Sequence, residues 1–167
     1  MLLTCFLVAS CERPASTDGP TACDAETTPI FEIQGDQFTT PLLGQRRTVQ
    51  GVVTRVQGDG FYLESPLPAP DRHSRAIFIS PAQDGAAVYP GQQLQLGGQV
   101  AETGSGRDTM TSLSAVTGVT VCAEASDLPV TQVALPMKPG AREALEGMRL
   151  VFDQRFTLTD PVTVSQG

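Results

Sequence analysis

The sequence predicts an all-β protein, a small and strongly coiled barrel of five strands. Three observations carry that expectation. Val, Thr and Leu are abundant, and 16 Gly and 13 Pro punctuate the chain, which suits short strands joined by turns. Five segments show two-residue alternation, or a short apolar run bounded by turn residues. Finally, "VQGVV" (49–53) and "LGGQV" (96–100) each place a glycine two residues before a valine on the presumed inward face. Glycine is expected there if the strand bends sharply or another backbone comes close.

Taken in order, "IFEIQG" opens the folded part at residue 30, followed by "TTPLLGQ". From Thr48 the first strand puts Val49, Gly51 and Val53 on one face and Gln50, Val52 and Thr54 on the other. "GDG" at 58–60 is a turn, and "FYLES" returns as the second strand, stopped by Pro66. "PLPAPDRHSR" is a loop, and "AIFIS" is the third strand, stopped by Pro81. "VYPGQQ" turns into the fourth strand, "LQLGGQVAE", with Leu94, Leu96, Gly98 and Val100 on one face. "TGSGRD" turns into the fifth, "TMTSLSAVTGVTVC", with alternating apolar positions after Leu113. Five strands with the first and fourth bent and adjacent fit the OB-fold. A β-sandwich, the alternative, normally wants about seven.

The chain has 167 residues, enough for one domain of ordinary size with a single core. Its net charge of -7 argues against a protein that coats nucleic acid through overall charge. Lys138 is the one lysine, so any anion-binding surface is local and built of arginine.

The N-terminus "MLLTCFLVASC" is an apolar run too short to span a bilayer but suited to an export signal. Its end, Val8-Ala9-Ser10-Cys11, resembles the lipobox of bacterial lipoproteins, which implies lipid on Cys11 and a tether to the membrane rather than insertion. Plain secretion and a buried strand are the alternatives. No Lys or Arg precedes the run, as if translation truly began further upstream. Residues 1–10 are thus expected to be a signal peptide, and 11–28, rich in Ser, Thr, Pro and acidic residues, a disordered tether. The expected location is extracellular or on a bacterial outer membrane. With Cys5 lost and Cys11 lipidated, Cys23 and Cys122 are left to pair in an oxidising compartment. Two cysteines and the lone His73 do not make a metal site, and no cofactor is expected.

After Cys122 a Pro-bounded extended piece, a helical turn near Ala141–Glu146 and two strand-like runs, "MRLVF" and "RFTLTD", follow. The expected division is a barrel domain over 29–135, then a linker and the start of an incomplete second β module over 136–167. Asp153 and Asp160 on these runs have no evident partners in the sequence.

The ordered phrases "PIFEIQG", "VQGVVT", "GDGFYLES", "GQQLQLGGQVAE", "TSLSAV", "VC", "LPVTQVALP" and "LEGMRLVF" resemble the N-terminal part of large bacterial extracellular nucleases. These belong to the endonuclease/exonuclease/phosphatase superfamily, and the resemblance covers roughly residues 29–152. It implies an OB-like domain ahead of a catalytic domain. The catalytic phrases of that superfamily, "GDFN" and "SDH", are missing, whereas "GDQF" and "GDGF" here read as turns. The resemblance therefore implies a non-catalytic accessory domain, whose partner is single-stranded nucleic acid or a nuclease catalytic domain. A structural or protein-interaction module of the envelope is the alternative.

OB-folds grip single strands with a basic groove and stacking aromatics. Between residues 46 and 81, five arginines face three carboxylates. Alternation pairs Phe61 with Leu63 on one face and Tyr62 with Glu64 on the other. The candidate nucleic-acid contacts are Arg55, Tyr62, Arg72, His73 and Arg75. The plainer reading makes Phe61 and Phe78 core and leaves the arginines as solvated loop residues.

Overall fold

The computed structural model describes residues 23–80, 87–105, 108–138 and 140–157, without the side chains of 105 and 108. Cys11, the signal and tether up to residue 22, and Asp160 lie outside the described residues.

Five strands close into a barrel: β1 (Arg46–Gln57), β2 (Gly60–Glu64), β3 (Ala76–Ile79), β4 (Gln93–Ser105) and β5 (Asp108–Ala123). Their order around it is β1-β2-β3-β5-β4, with β1 hydrogen-bonded to β4. All neighbours are antiparallel except β3 and β5. This is the expected OB-fold-like barrel. The inward positions follow the two-residue period: Val49 and Val53, Phe61 and Leu63, Ile77 and Ile79, and Leu94, Leu96 and Val100 all join one buried core.

Both glycines sit where another strand comes close. A Cβ on Gly51 would lie 3.1 Å from the Glu64 carbonyl oxygen, and one on Gly98 only 3.0 Å from Leu113 Cβ. The fifth strand departs from simple alternation. Its pairing with β4 slips twice between Gln95 and Gln99, and Ala115 takes a positive φ of 46°. The slip turns Ala115 outward and brings Val116 into the core three residues after Leu113.

The opening "IFEIQ" is a helical turn, α1 (Ile30–Gln34), which periodicity could not register at that length. Ile30 and Ile33 fill the core from outside the sheet. The chain leading into α1 is fixed by a disulfide between Cys23 and Cys122, Cα to Cα 5.7 Å, at the end of β5.

Beyond β5 the chain doubles back over the outer face of β2 and β3. It contains β6 (Thr131–Gln132), a 3-10 turn (Glu143–Leu145) and β7 (Leu150–Val151), with β6 and β7 parallel. The "MRLVF" run thus contributes only Leu150–Val151, and it is paired rather than left open. The part of "RFTLTD" that is described, Arg155–Thr157, forms no strand. Asp153 has a partner, accepting a hydrogen bond from Gln132 Nε2 at 3.1 Å. Residues 143–149 form a strap held to the barrel by side chains, as the site geometry shows.

Candidate anion-binding cleft

The site begins with a bulge in β1. Val53 pairs with Leu63, but Arg55 pairs with Tyr62, so Thr54 is an extra residue in the ladder. Strict alternation after Val53 would send Arg55 into the barrel. The bulge resets the phase and puts Arg55 directly across from Tyr62, on the outer face. Arg55 is exposed there, and its guanidinium makes no hydrogen bond or ion pair with a described residue.

Tyr62 is half-buried. Its ring leans on Phe78 with centroids 5.1 Å apart, and its hydroxyl reaches Met110 Sδ at 3.6 Å. The strap crosses the ring at Gly147, where an added Cβ would meet Tyr62 Cδ1 at 3.1 Å. Gly147 also has a φ of 66°, a turn that side-chain-bearing residues rarely adopt. The expected open aromatic platform is therefore largely covered by the protein's own chain, and the tyrosine serves as a wall.

The strap is seated by two carboxyl groups, one fully buried and one half-buried. Glu64, fully buried, accepts from Arg75 Nε at 3.0 Å and from the Arg149 backbone N–H at 2.9 Å. Arg75 continues to the Thr131 hydroxyl at 3.1 Å, tying β6 to the barrel. Burial pushes the Glu64 carboxyl up from its ordinary range, with the Arg149 amide and the Arg75 guanidinium pulling against it. Arg75, one of the expected phosphate contacts, is thus committed to an internal ion pair.

Glu146 is the second. Its Oε1 accepts from the Thr111 backbone N–H at 3.0 Å and from Gln34 Nε2 at 3.2 Å, and its carbonyl accepts from the Ser74 hydroxyl at 2.6 Å. Glu102 approaches the same threonine from β4, its Oε1 accepting the Thr111 hydroxyl at 3.0 Å and the Thr40 N–H at 2.7 Å. Glu102 Oε2 is buried and has no hydrogen-bond partner among the described residues. Burial raises the Glu146 carboxyl to about 7, opposed by the Gln34 and Thr111 donors and reinforced by Glu143 and Glu102. Glu143 is also raised, by burial and by Glu102.

Between the outer face and the strap lies a cleft of about 470 Å³, lined by Thr54, Arg55, Tyr62, Gly147, Met148 and Arg149. Among the described residues of that lining the fixed charges are two arginines, with no carboxylate beside them. The arrangement suits an oxyanion such as a phosphodiester, which two guanidinium groups can hold by charge-assisted hydrogen bonds. Arg149 was not singled out from the sequence. It lies in the "LEGMRLVF" phrase, but nothing in that phrase signals that the chain returns to β2.

Arg72 and His73 do not line the cleft. Arg72 is exposed beside a separate hollow of about 90 Å³, shared with Asp36 and Glu143 among others. His73 is half-buried edge-on against Phe31, ring centroids 6.2 Å apart, with Nδ1 3.0 Å from the Asp71 carbonyl. Of the five candidate contacts, the structure brings Arg55 and Tyr62 together, puts Arg75 behind them, and leaves two elsewhere. Among the described residues no group of three or more His, Cys, Asp or Glu side chains is arranged to hold a metal ion. No family model, no curated protein and no solved structure matches this chain.

Proposed function

We propose that the chain is a non-catalytic OB-fold accessory domain of an extracellular-nuclease-type lipoprotein, which holds single-stranded nucleic acid weakly by its phosphates. The observation that carries the reading is the cleft itself: a β-bulge aims Arg55 outward, Arg149 joins it in the lining from the strap, and no carboxylate is among the described lining residues. The order of sequence phrases supplies the nuclease context, and their missing catalytic members the non-catalytic role. Covered by Gly147 and Phe78, Tyr62 offers little free ring for stacking, so binding is backbone-directed and indifferent to base identity. An overall charge of -7 keeps the affinity low. The seated strap also gives whatever follows it a fixed exit from the barrel, which suits the positioning of a catalytic domain.

Fluorescence anisotropy with a labelled oligonucleotide at low salt tests this. Arg55→Ala and Arg149→Ala should each weaken binding by about tenfold, the scale of one charge-assisted contact. Arg72→Ala should leave it unchanged. Absence of binding, or equal affinity for all three variants, removes the reading.

The second reading, an interaction module of the envelope, is favoured by Val130, Val151 and Phe156, exposed apolar side chains in and around β6 and β7. It predicts strand addition to this short sheet, and Val151→Asp would abolish partner binding without touching the anion cleft.

A further inference from the structure

The strap bears on the cleft from one side and on a carboxyl cluster from the other. Glu146 belongs to both, since its neighbours Gly147, Met148 and Arg149 line the cleft. Three elements present polar groups to it: Gln34 from α1, Thr111 from β5 and Ser74 ahead of β3. The charged groups acting on it are both acidic, Glu102 from β4 and Glu143 from its own turn. Arg72 and Asp36 lie across the small hollow beyond Glu143. Among the described residues no cation acts on Glu146, in contrast to Glu64, which has Arg75.

Such a site discriminates between the two forms of its carboxyl group. A neutral Glu146 sits half-buried against two N–H donors at little cost and feels no repulsion from its acidic neighbours. An ionised Glu146 is desolvated, held by the same two donors, and repelled by both. Among the described residues no donor reaches the buried Glu102 Oε2.

We propose that residues 143–149 form a proton-controlled cover over the Tyr62 face, seated when Glu146 is protonated and loosened when it ionises. The sign follows from linkage. A carboxyl raised in the seated form binds its proton there and releases it when the strap lifts, so seating is favoured below the ordinary Glu range and lost as pH rises through about 7. That the movement alters ligand binding rests on the cleft being the binding site, since lifting the strap withdraws Arg149 from Arg55; the movement itself does not, and it is tested without ligand.

The chain has two tyrosines and no Trp, and Tyr89 is exposed, so Tyr89→Phe leaves Tyr62 as the reporter. Acrylamide quenching of Tyr62 in the full chain, from about pH 5 to about pH 9, should rise severalfold with a midpoint near 7. In Glu146→Gln, which keeps both hydrogen-bond acceptances and cannot ionise, quenching should stay low throughout. In Glu143→Gln, with one repelling neighbour removed, the midpoint should fall toward the ordinary Glu range. A flat response in the parent protein overturns the proposal, as does an unshifted response in both variants. So does a Thr111 amide NMR signal that titrates near pH 7 while Tyr62 quenching stays constant, because that shows a proton site with no moving cover.

Discussion

Arg55 shows how one extra residue decides what a side chain can do. A strand with unbroken alternation would have buried its guanidinium among Val53 and Leu63; the unpaired Thr54 turns it to the cleft instead. Gly51 and Gly98 act by what they lack. Each lets a neighbouring strand come within about 3 Å of where a side chain would begin. Gly98→Val should therefore force β5 away from β4 and cost about 1–3 kcal/mol of stability, measured as a lower urea midpoint with an unchanged slope. A midpoint equal to the parent's would mean that β4 is not pressed against Leu113. At this scale the sequence was partly legible. The inward residues and both glycines could be read from a two-residue period, because burial of one face enforces it. The outward aim of Arg55 could not be read, because a bulge breaks the period and leaves no mark in residue type.

Among the elements, the barrel strands could be read and their connections could not. β1, β3 and β5 are rich in β-branched residues, β2 has two adjacent aromatics, and β1 to β4 are each followed within two residues by Gly or Pro, signals that act locally. The five residues of α1 give no helical period, and their helicity comes from Ile30 and Ile33 finding the core. The strap is held by contacts that cross large sequence separations, Glu64 to Arg149 and Gln34 to Glu146, so no neighbouring residue announces them. The disulfide was legible by a different route: cysteine number and an export context left Cys23 and Cys122 as the remaining pair. It joins the lead-in segment, which Gln95 also grips through the carbonyls of Cys23 and Ala25, to the last barrel strand. Because the bond closes 99 residues, replacing both cysteines with serine should lower stability by about 2–4 kcal/mol in urea unfolding. No loss would show that the lead-in contributes little to the fold.

At the scale of the whole molecule, a net charge of -7 and a cleft with two arginines pull in opposite directions. Long-range repulsion slows the approach of a polyanion, while the local pair rewards its arrival. On the proposed function, the affinity depends on few phosphates and therefore has a shallow response to salt. A protein that coats nucleic acid would neutralise many phosphates and respond steeply. The central claim is that Arg55 and Arg149 together form the contact, and the salt dependence of oligonucleotide binding tests it most directly. For two single-strand phosphates, the slope of log affinity against log salt should be about -1.4, falling to about -0.7 in Arg55→Ala. A slope near zero, or one that Arg55→Ala leaves unaltered, would contradict the account.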